Sequence, residues 1–169
     1  MKNKHMDALA NSLSNTNEHL LLMGPPGTGK TTLARRIAER TEPSFDPKVI
    51  KGMMHVDMVT GRRVATSIPF RAPHHTVSES GMFGRAPDSD TGFPRYGEVS
   101  LAHGGILFLD ELPEFSNIIL RRLQGLVSND LVFGGVKYPS NVRIIAAMNL
   151  CPCGWRGCPR ERVNAPQRP

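Results

Sequence analysis

Gly24-Pro25-Pro26-Gly27-Thr28-Gly29-Lys30-Thr31 follows the apolar run Leu20-Leu21-Leu22-Met23 and leads directly into Thr32-Leu33-Ala34-Arg35-Arg36-Ile37-Ala38. No other stretch of the chain restricts the fold as much. The octet fits G-x-x-x-x-G-K-[ST], and strand, glycine loop, helix is the context in which that pattern has a mechanism. Glycines let consecutive backbone N–H groups turn inward around an anion, helped by the positive end of the following helix. Residues Gly24, Pro25, Pro26, Gly27, Thr28, Gly29, Lys30, Thr31 and Thr32 are therefore the expected cradle for the phosphates of a nucleoside triphosphate. Lys30 is expected to reach the β- and γ-phosphates, and the Thr31 hydroxyl to ligate Mg²⁺.

At 169 residues the chain is long enough for one domain with a real core. Hydrophobic residues make up 39%, while Gly 16 and Pro 14 together are generous, which reads as a loop-rich globular domain. The net charge of +6 has two readings: contact with polyanions, nucleic acid included, or a mildly basic surface with a few excess arginines. No dense basic run accompanies it. No apolar run approaches the length of a membrane span, and Met1-Lys2-Asn3-Lys4-His5 is followed by no apolar signal-peptide core. Three cysteines near the C-terminus make no secreted disulfide framework, so a cytoplasmic location is expected.

Periodicity places a short amphipathic helix over Lys4–Ser14, a strand over His19–Met23 and a helix from the glycine loop to Arg40. A second helix is expected over Asp46–Val59, with Met53 and Met54 as core filler. Residues 60–97, rich in Gly, Pro and Arg, read as a long loop, either functional or mobile. Gly105–Asp110 and Val142–Met148 read as buried parallel strands. Between them a helix is expected over Ser116–Val127, then a hairpin with Leu131-Val132-Phe133 as one strand and Gly134-Gly135 at its turn.

Asp110 and Glu111 close the first of these buried strands, at the carboxyl end where the glycine loop also sits. There Asp110 is expected to hold Mg²⁺ through its water shell, and Glu111 to polarise an attacking water as general base. Asn149 ends the second buried strand, where an amide can hydrogen-bond a γ-phosphate or the water. Three strand ends converging on one crevice make a hydrolytic site; each alone is also consistent with a solvated strand end.

Together with the glycine loop, Leu107-Phe108-Leu109-Asp110-Glu111 and Ala146-Ala147-Met148-Asn149 resemble the AAA+ ATPase superfamily. Four further strings narrow the resemblance to its magnesium-chelatase-like family. They are Pro69-Phe70-Arg71-Ala72-Pro73-His74-His75-Thr76, Gly97-Glu98-Val99-Ser100-Leu101-Ala102-His103, Leu109-Asp110-Glu111-Leu112-Pro113-Glu114-Phe115 and Asn149-Leu150-Cys151-Pro152-Cys153-Gly154. They are closer to its competence-associated, branch-migration helicase branch than to the subunit that drives magnesium insertion into a porphyrin. The resemblance implies a P-loop NTPase fold: a three-layer parallel sheet with flanking helices. It implies ATP hydrolysis coupled to DNA remodelling, a hexameric ring, Asp110 and Glu111 as the Walker B pair, and Asn149 as sensor 1. It also implies that residues 60–97 contain a pore-facing insert, making Arg71, His74 and His75 candidates for substrate contact; the adjacent histidines equally fit packing or hydrogen-bonding within the loop, and lack the i, i+4 spacing of helical metal ligands. Cys151, Cys153 and Cys158 offer three thiols where a structural zinc site wants four ligands, so either zinc or reduced thiols fits them.

Relatives of this kind continue beyond sensor 1 through an arginine finger, a fifth strand and a helical lid. The expectation is therefore a partial AAA+ core over residues 1–150, without the C-terminal helical lid, and an incomplete Cys/Pro/Arg-rich tail over 151–169. ATP binding is expected to survive this and turnover to suffer, leaving a nucleotide-binding remnant as the alternative. Without the fifth strand, Leu20–Met23 is expected to be a sheet edge.

Overall fold

The computed structural model describes residues 2–41, 55–56, 63–64, 70–86, 95–126, 131–133 and 135–149. In chain order its elements are α1 (Lys2–Ser14), β1 (Leu20–Met23), α2 (Lys30–Arg40), β2 (His55–Val56), β3 (Arg63–Val64), β4 (Phe70–Arg71), α3 (Glu79–Phe83), β5 (Gly84–Arg85) and β6 (Arg95–Tyr96). They continue as α4 (Glu98–Leu101), β7 (Ile106–Leu109), a 3-10 turn (Leu112–Glu114), α5 (Asn117–Leu126), β8 (Leu131–Phe133), β9 (Val136–Tyr138) and β10 (Arg143–Met148). Four strands form one parallel sheet in the order β1-β10-β7-β4. The remaining strands pair as three short antiparallel hairpins.

Successive side chains of a strand point to opposite faces, and here each face has its own helical layer. Ile106 and Phe108 of β7, with Ile145 and Ala147 of β10, pack against Ala10 of α1 and Leu33, Ala34, Ile37 and Ala38 of α2. Leu107, Leu109 and Ala146 face the other way, onto Met82, Phe83, Val99, Ile119 and Leu123. All four residues of β7 are buried, as a strand covered on both faces requires. Asp7 ties the first layer together by accepting from Arg36 (2.9 Å) and Arg40 (2.6 Å), which fixes α1 across α2. Among the described residues β1 pairs only with β10, and Leu21 and Met23 are about half exposed, so the expected edge is present.

Two expectations need correction. His55 and Val56, expected inside a helix, are extended and pair antiparallel with Val64 and Arg63; the rest of Asp46–Val59 lies outside the described residues. The Gly/Pro/Arg-rich stretch is not a plain loop. It contributes β4, whose Phe70 and Arg71 pair with Ile106 and Leu107 at the sheet's far side, and then α3 and the β5–β6 hairpin. Two residues of strand leave too little periodicity to see in sequence.

At the sheet's amino end His103 accepts the Asn141 N–H at Nδ1 (3.1 Å), a bond that needs the ring neutral at that nitrogen. Burial lowers its pKa below the usual 6.5. As pH falls, the unfolded chain takes up this proton first. The contribution to stability is therefore full above about pH 6.5 and is lost as pH falls toward the folded pKa. The urea midpoint is expected to drop more between about pH 7 and pH 5.5 in the wild type than in His103→Gln.

Candidate functional site

The strand order sets the site. Because β10 lies between β1 and β7, the residues that follow the three strands, Gly24, Asn149 and Asp110, stand side by side at the carboxyl edge of the sheet. Neighbouring strands are about 4.8 Å apart, so side chains from any of the three reach the space in front of the middle one. The Gly24 N–H donates to the Met148 carbonyl (3.3 Å), which extends the β1–β10 pairing into the start of the glycine loop.

The loop needs its glycines. Gly27 and Gly29 have φ of 75° and 89°, a region that favours glycine, and Gly29 is the N-cap of α2. That cap offers no side-chain acceptor, and the first turn of α2 holds no acid. The free N–H groups and the positive end of the helix dipole therefore face the crevice without an internal partner charge. Thr28 closes the loop from inside, its hydroxyl donating to the Pro25 carbonyl (2.9 Å). Pro25, Pro26 and Thr32 are exposed around it.

Two side chains of α2 bridge to the other strand ends. The Lys30 ammonium donates to the Gly24 carbonyl (2.8 Å), the Pro25 carbonyl (3.0 Å) and Asn149 Oδ1 (3.0 Å). The Thr31 hydroxyl donates to Asp110 Oδ2 (3.1 Å). Octahedral Mg²⁺ binds oxygen at 2.0–2.1 Å, so two ligands at right angles lie about 2.9 Å apart. The Thr31 and Asp110 oxygens are already near that separation and of the right hard-oxygen type. One carboxylate and one hydroxyl suit an ion that takes its remaining ligands from water and phosphate.

Glu111 adopts a left-handed backbone (φ 53°), which for a non-glycine residue costs roughly 1–2 kcal/mol. Its N–H donates to Asp110 Oδ1 (3.1 Å), and the chain then turns into the 3-10 helix. The outcome is two adjacent carboxylates, both exposed, at the mouth of the crevice.

The structure also brings in a residue that the spacing did not assign to this place. His75, just beyond β4, has Nδ1 at 3.8 Å from Glu111 Oε2. Its ring lies against that of His74, with centroids 4.0 Å apart, while His74 Nδ1 is bonded to the Thr76 hydroxyl (2.9 Å). Arg71 is taken up in a two-fold ion pair with Glu98 of α4 (2.7 and 2.8 Å). Those bonds hold its guanidinium pKa above the usual value. Only the parallel β4–β7 pairing in the string Phe70–His75 could have signalled the approach to Glu111. The cysteines considered for zinc, Cys151, Cys153 and Cys158, lie outside the described residues. Among the described residues no three His, Cys, Asp or Glu side chains gather to hold a metal, and no helix is long and apolar enough to cross a membrane.

Comparison with known proteins gives these features a family. Residues 3–168 match the family model described as magnesium chelatase, subunit ChlI. Competence protein ComM of Haemophilus influenzae is 37% identical over 144 residues, 80% of this chain and 27% of its own length. The chain thus spans 27–28% of the length of such curated relatives. Among solved structures, NtrX from Brucella abortus in complex with ATP matches with a TM-score of 0.60 at 21% identity, over 90% of this chain and 31% of that one. BchI, from the BchI–BchD complex of magnesium chelatase, matches with a TM-score of 0.61 at 17% identity, over 90% and 53%. At such identities these two likenesses are of fold, and the fold is AAA+-like α/β. With the family match covering nearly its whole length, the chain belongs to the magnesium chelatase ChlI family.

Proposed function

We propose that this chain is the ATP-binding module of an AAA+ ATPase and that hydrolysis in its crevice drives remodelling of DNA. The observation that carries the nucleotide half of this reading is the pair of bridges Lys30–Asn149 and Thr31–Asp110, which joins the glycine loop to both neighbouring strand ends. In this reading the amides of residues 24–32 and the Lys30 ammonium bind the phosphates. Thr31 and Asp110 would hold Mg²⁺, which when bound would neutralise charge on the phosphates. Glu111 accepts the proton of the attacking water, Asn149 orients that water or the γ-phosphate, and His75 steadies the Glu111 carboxylate. Residues 1–150 are assigned to the partial core of the module, and residues 151–169 to its Cys/Pro/Arg-rich tail.

The DNA half rests on the net charge of +6 and on the name of the competence-protein relative. Assembly with further subunits is proposed by analogy with the BchI–BchD complex. Magnesium insertion into a porphyrin is the alternative, carried by the family description alone.

Calorimetric titration with ATP tests the site. Affinity is expected to rise on adding Mg²⁺, and Thr31→Val is expected to remove most of that increment while leaving metal-free binding intact. Equal Mg²⁺ dependence in both proteins would remove Thr31 from the metal site. Stimulation of ATP hydrolysis by DNA supports the DNA reading, and stimulation by a porphyrin instead supports the alternative.

A further inference from the structure

One cationic feature is left unused by the nucleotide crevice. In the β5–β6 hairpin Arg85 lies directly opposite Arg95, with Gly84 opposite Tyr96 as the adjoining pair. Directly opposed residues of an antiparallel ladder project from one face with Cβ atoms about 4.5–5.5 Å apart, and like charges placed there are destabilising. Both arginines are exposed, and neither has an ion pair with a described residue.

The hairpin is not free to splay and relieve that repulsion. Gly84 has φ 92°, and a Cβ on it would strike the Arg95 carbonyl; a Cβ on Gly97 would strike the Gly84 amide and the Met82 carbonyl. The stem is therefore closed backbone against backbone where it leaves α3 and enters α4. A second lock comes from the neighbouring β8–β9 hairpin. The buried Tyr138 donates its hydroxyl to the Arg85 carbonyl (2.7 Å), and its ring meets Tyr96 edge to face with centroids 5.5 Å apart. The pleat turns Tyr96 toward this lock and leaves the two guanidinium groups on the other face.

We infer that the Arg85–Arg95 pair is a binding site for the phosphodiester backbone of nucleic acid. An anion between the two guanidinium groups converts their repulsion into attraction. Arginine, with its planar fork of donors, matches phosphate oxygens two at a time. A backbone offering successive phosphates can engage both side chains, which a single monovalent anion does not. This inference rests on the DNA reading above and names its contact, replacing Arg71, which Glu98 already holds.

The test uses the full chain and a fluorescein-labelled oligo-dT strand, titrated at several salt concentrations. The Arg85→Gln, Arg95→Gln double variant is expected to lose roughly ten-fold in affinity at low salt. Its log–log salt slope should shrink by about 1.4, from two lost phosphate contacts. Its thermal midpoint should hold or rise, since a like-charge pair has been removed. The Arg85→Lys, Arg95→Lys variant, which keeps the charge, should retain most of the slope. A double glutamine variant with wild-type affinity and slope overturns the inference while leaving the DNA reading standing. A wild type that binds ATP but no DNA overturns both. Displacement of the strand by poly-glutamate at equal charge assigns the pair to acidic protein and overturns the nucleic-acid inference.

Discussion

Lys30→Ala is expected to lower affinity for ATP on the order of 10²-fold or more while leaving the fold intact. The ammonium is held by two loop carbonyls and Asn149 Oδ1 at 2.8–3.0 Å, so it is oriented over the crevice by groups of three separate residues. Hydrogen bonds to charged partners contribute about 1.5–3 kcal/mol each, and contacts to two phosphates give roughly 3–6 kcal/mol before the discount for partial exposure. Stability should change little, because the same side chain is only half-buried and two of its three acceptors, on Pro25 and Asn149, belong to exposed residues. Lys30→Arg is not expected to rescue, since a planar fork does not fit where a compact point charge is ringed by three acceptors. Titration with a fluorescent ATP analogue reads the first effect and thermal unfolding the second. Unchanged affinity with an unchanged fold would place the nucleotide elsewhere on the protein.

This side of the site was legible from residues alone. An apolar run, a glycine loop and a helix follow one another in sequence, and the chemistry needs only that local order. Asp110 and Asn149 were legible for a related reason: each follows a run of residues buried on both faces, so the end of the run marks the edge of the sheet. The features that sequence hid depend on contacts between distant segments. β4 is extended because Phe70 and Arg71 pair with β7, not because of their own pattern. Where His55 and Val56 sit, apolar spacing suggested a helix, yet pairing with Arg63 and Val64 makes them extended. The approach of His75 to Glu111 follows from β4 lying beside β7, and the opposition of Arg85 and Arg95 follows from a hairpin register. Neither is a property of any short window. The lock formed by Tyr138 joins residues 53 positions apart.

Glu111→Gln separates binding from turnover. The carboxylate sits at the crevice mouth beside Asp110, on a left-handed residue whose strain is tolerated because the chain must turn there into the 3-10 helix. An amide keeps the size and the hydrogen-bonding reach but cannot take a proton from water. General-base catalysis contributes about 10²–10⁴-fold, so kcat for ATP hydrolysis should fall within that range while KM stays near the wild-type value. ATP affinity should be retained or rise, since a negative charge near the γ-phosphate is gone. His75→Ala is expected to act in the same direction but less, roughly three- to ten-fold in kcat. At 3.8 Å the imidazole is too far for a strong hydrogen bond and near enough to bias the carboxylate. His75→Gln should recover part of the loss by restoring an N–H donor toward Glu111. Steady-state release of phosphate, with calorimetric ATP binding on the same samples, distinguishes the outcomes. A large drop confined to kcat supports Glu111 as the base. Equal rates near zero in wild type and Glu111→Gln, with ATP still bound, would instead make this chain a nucleotide-binding module without turnover of its own. That outcome would place hydrolysis in an assembly in which a neighbouring subunit contributes transition-state charge.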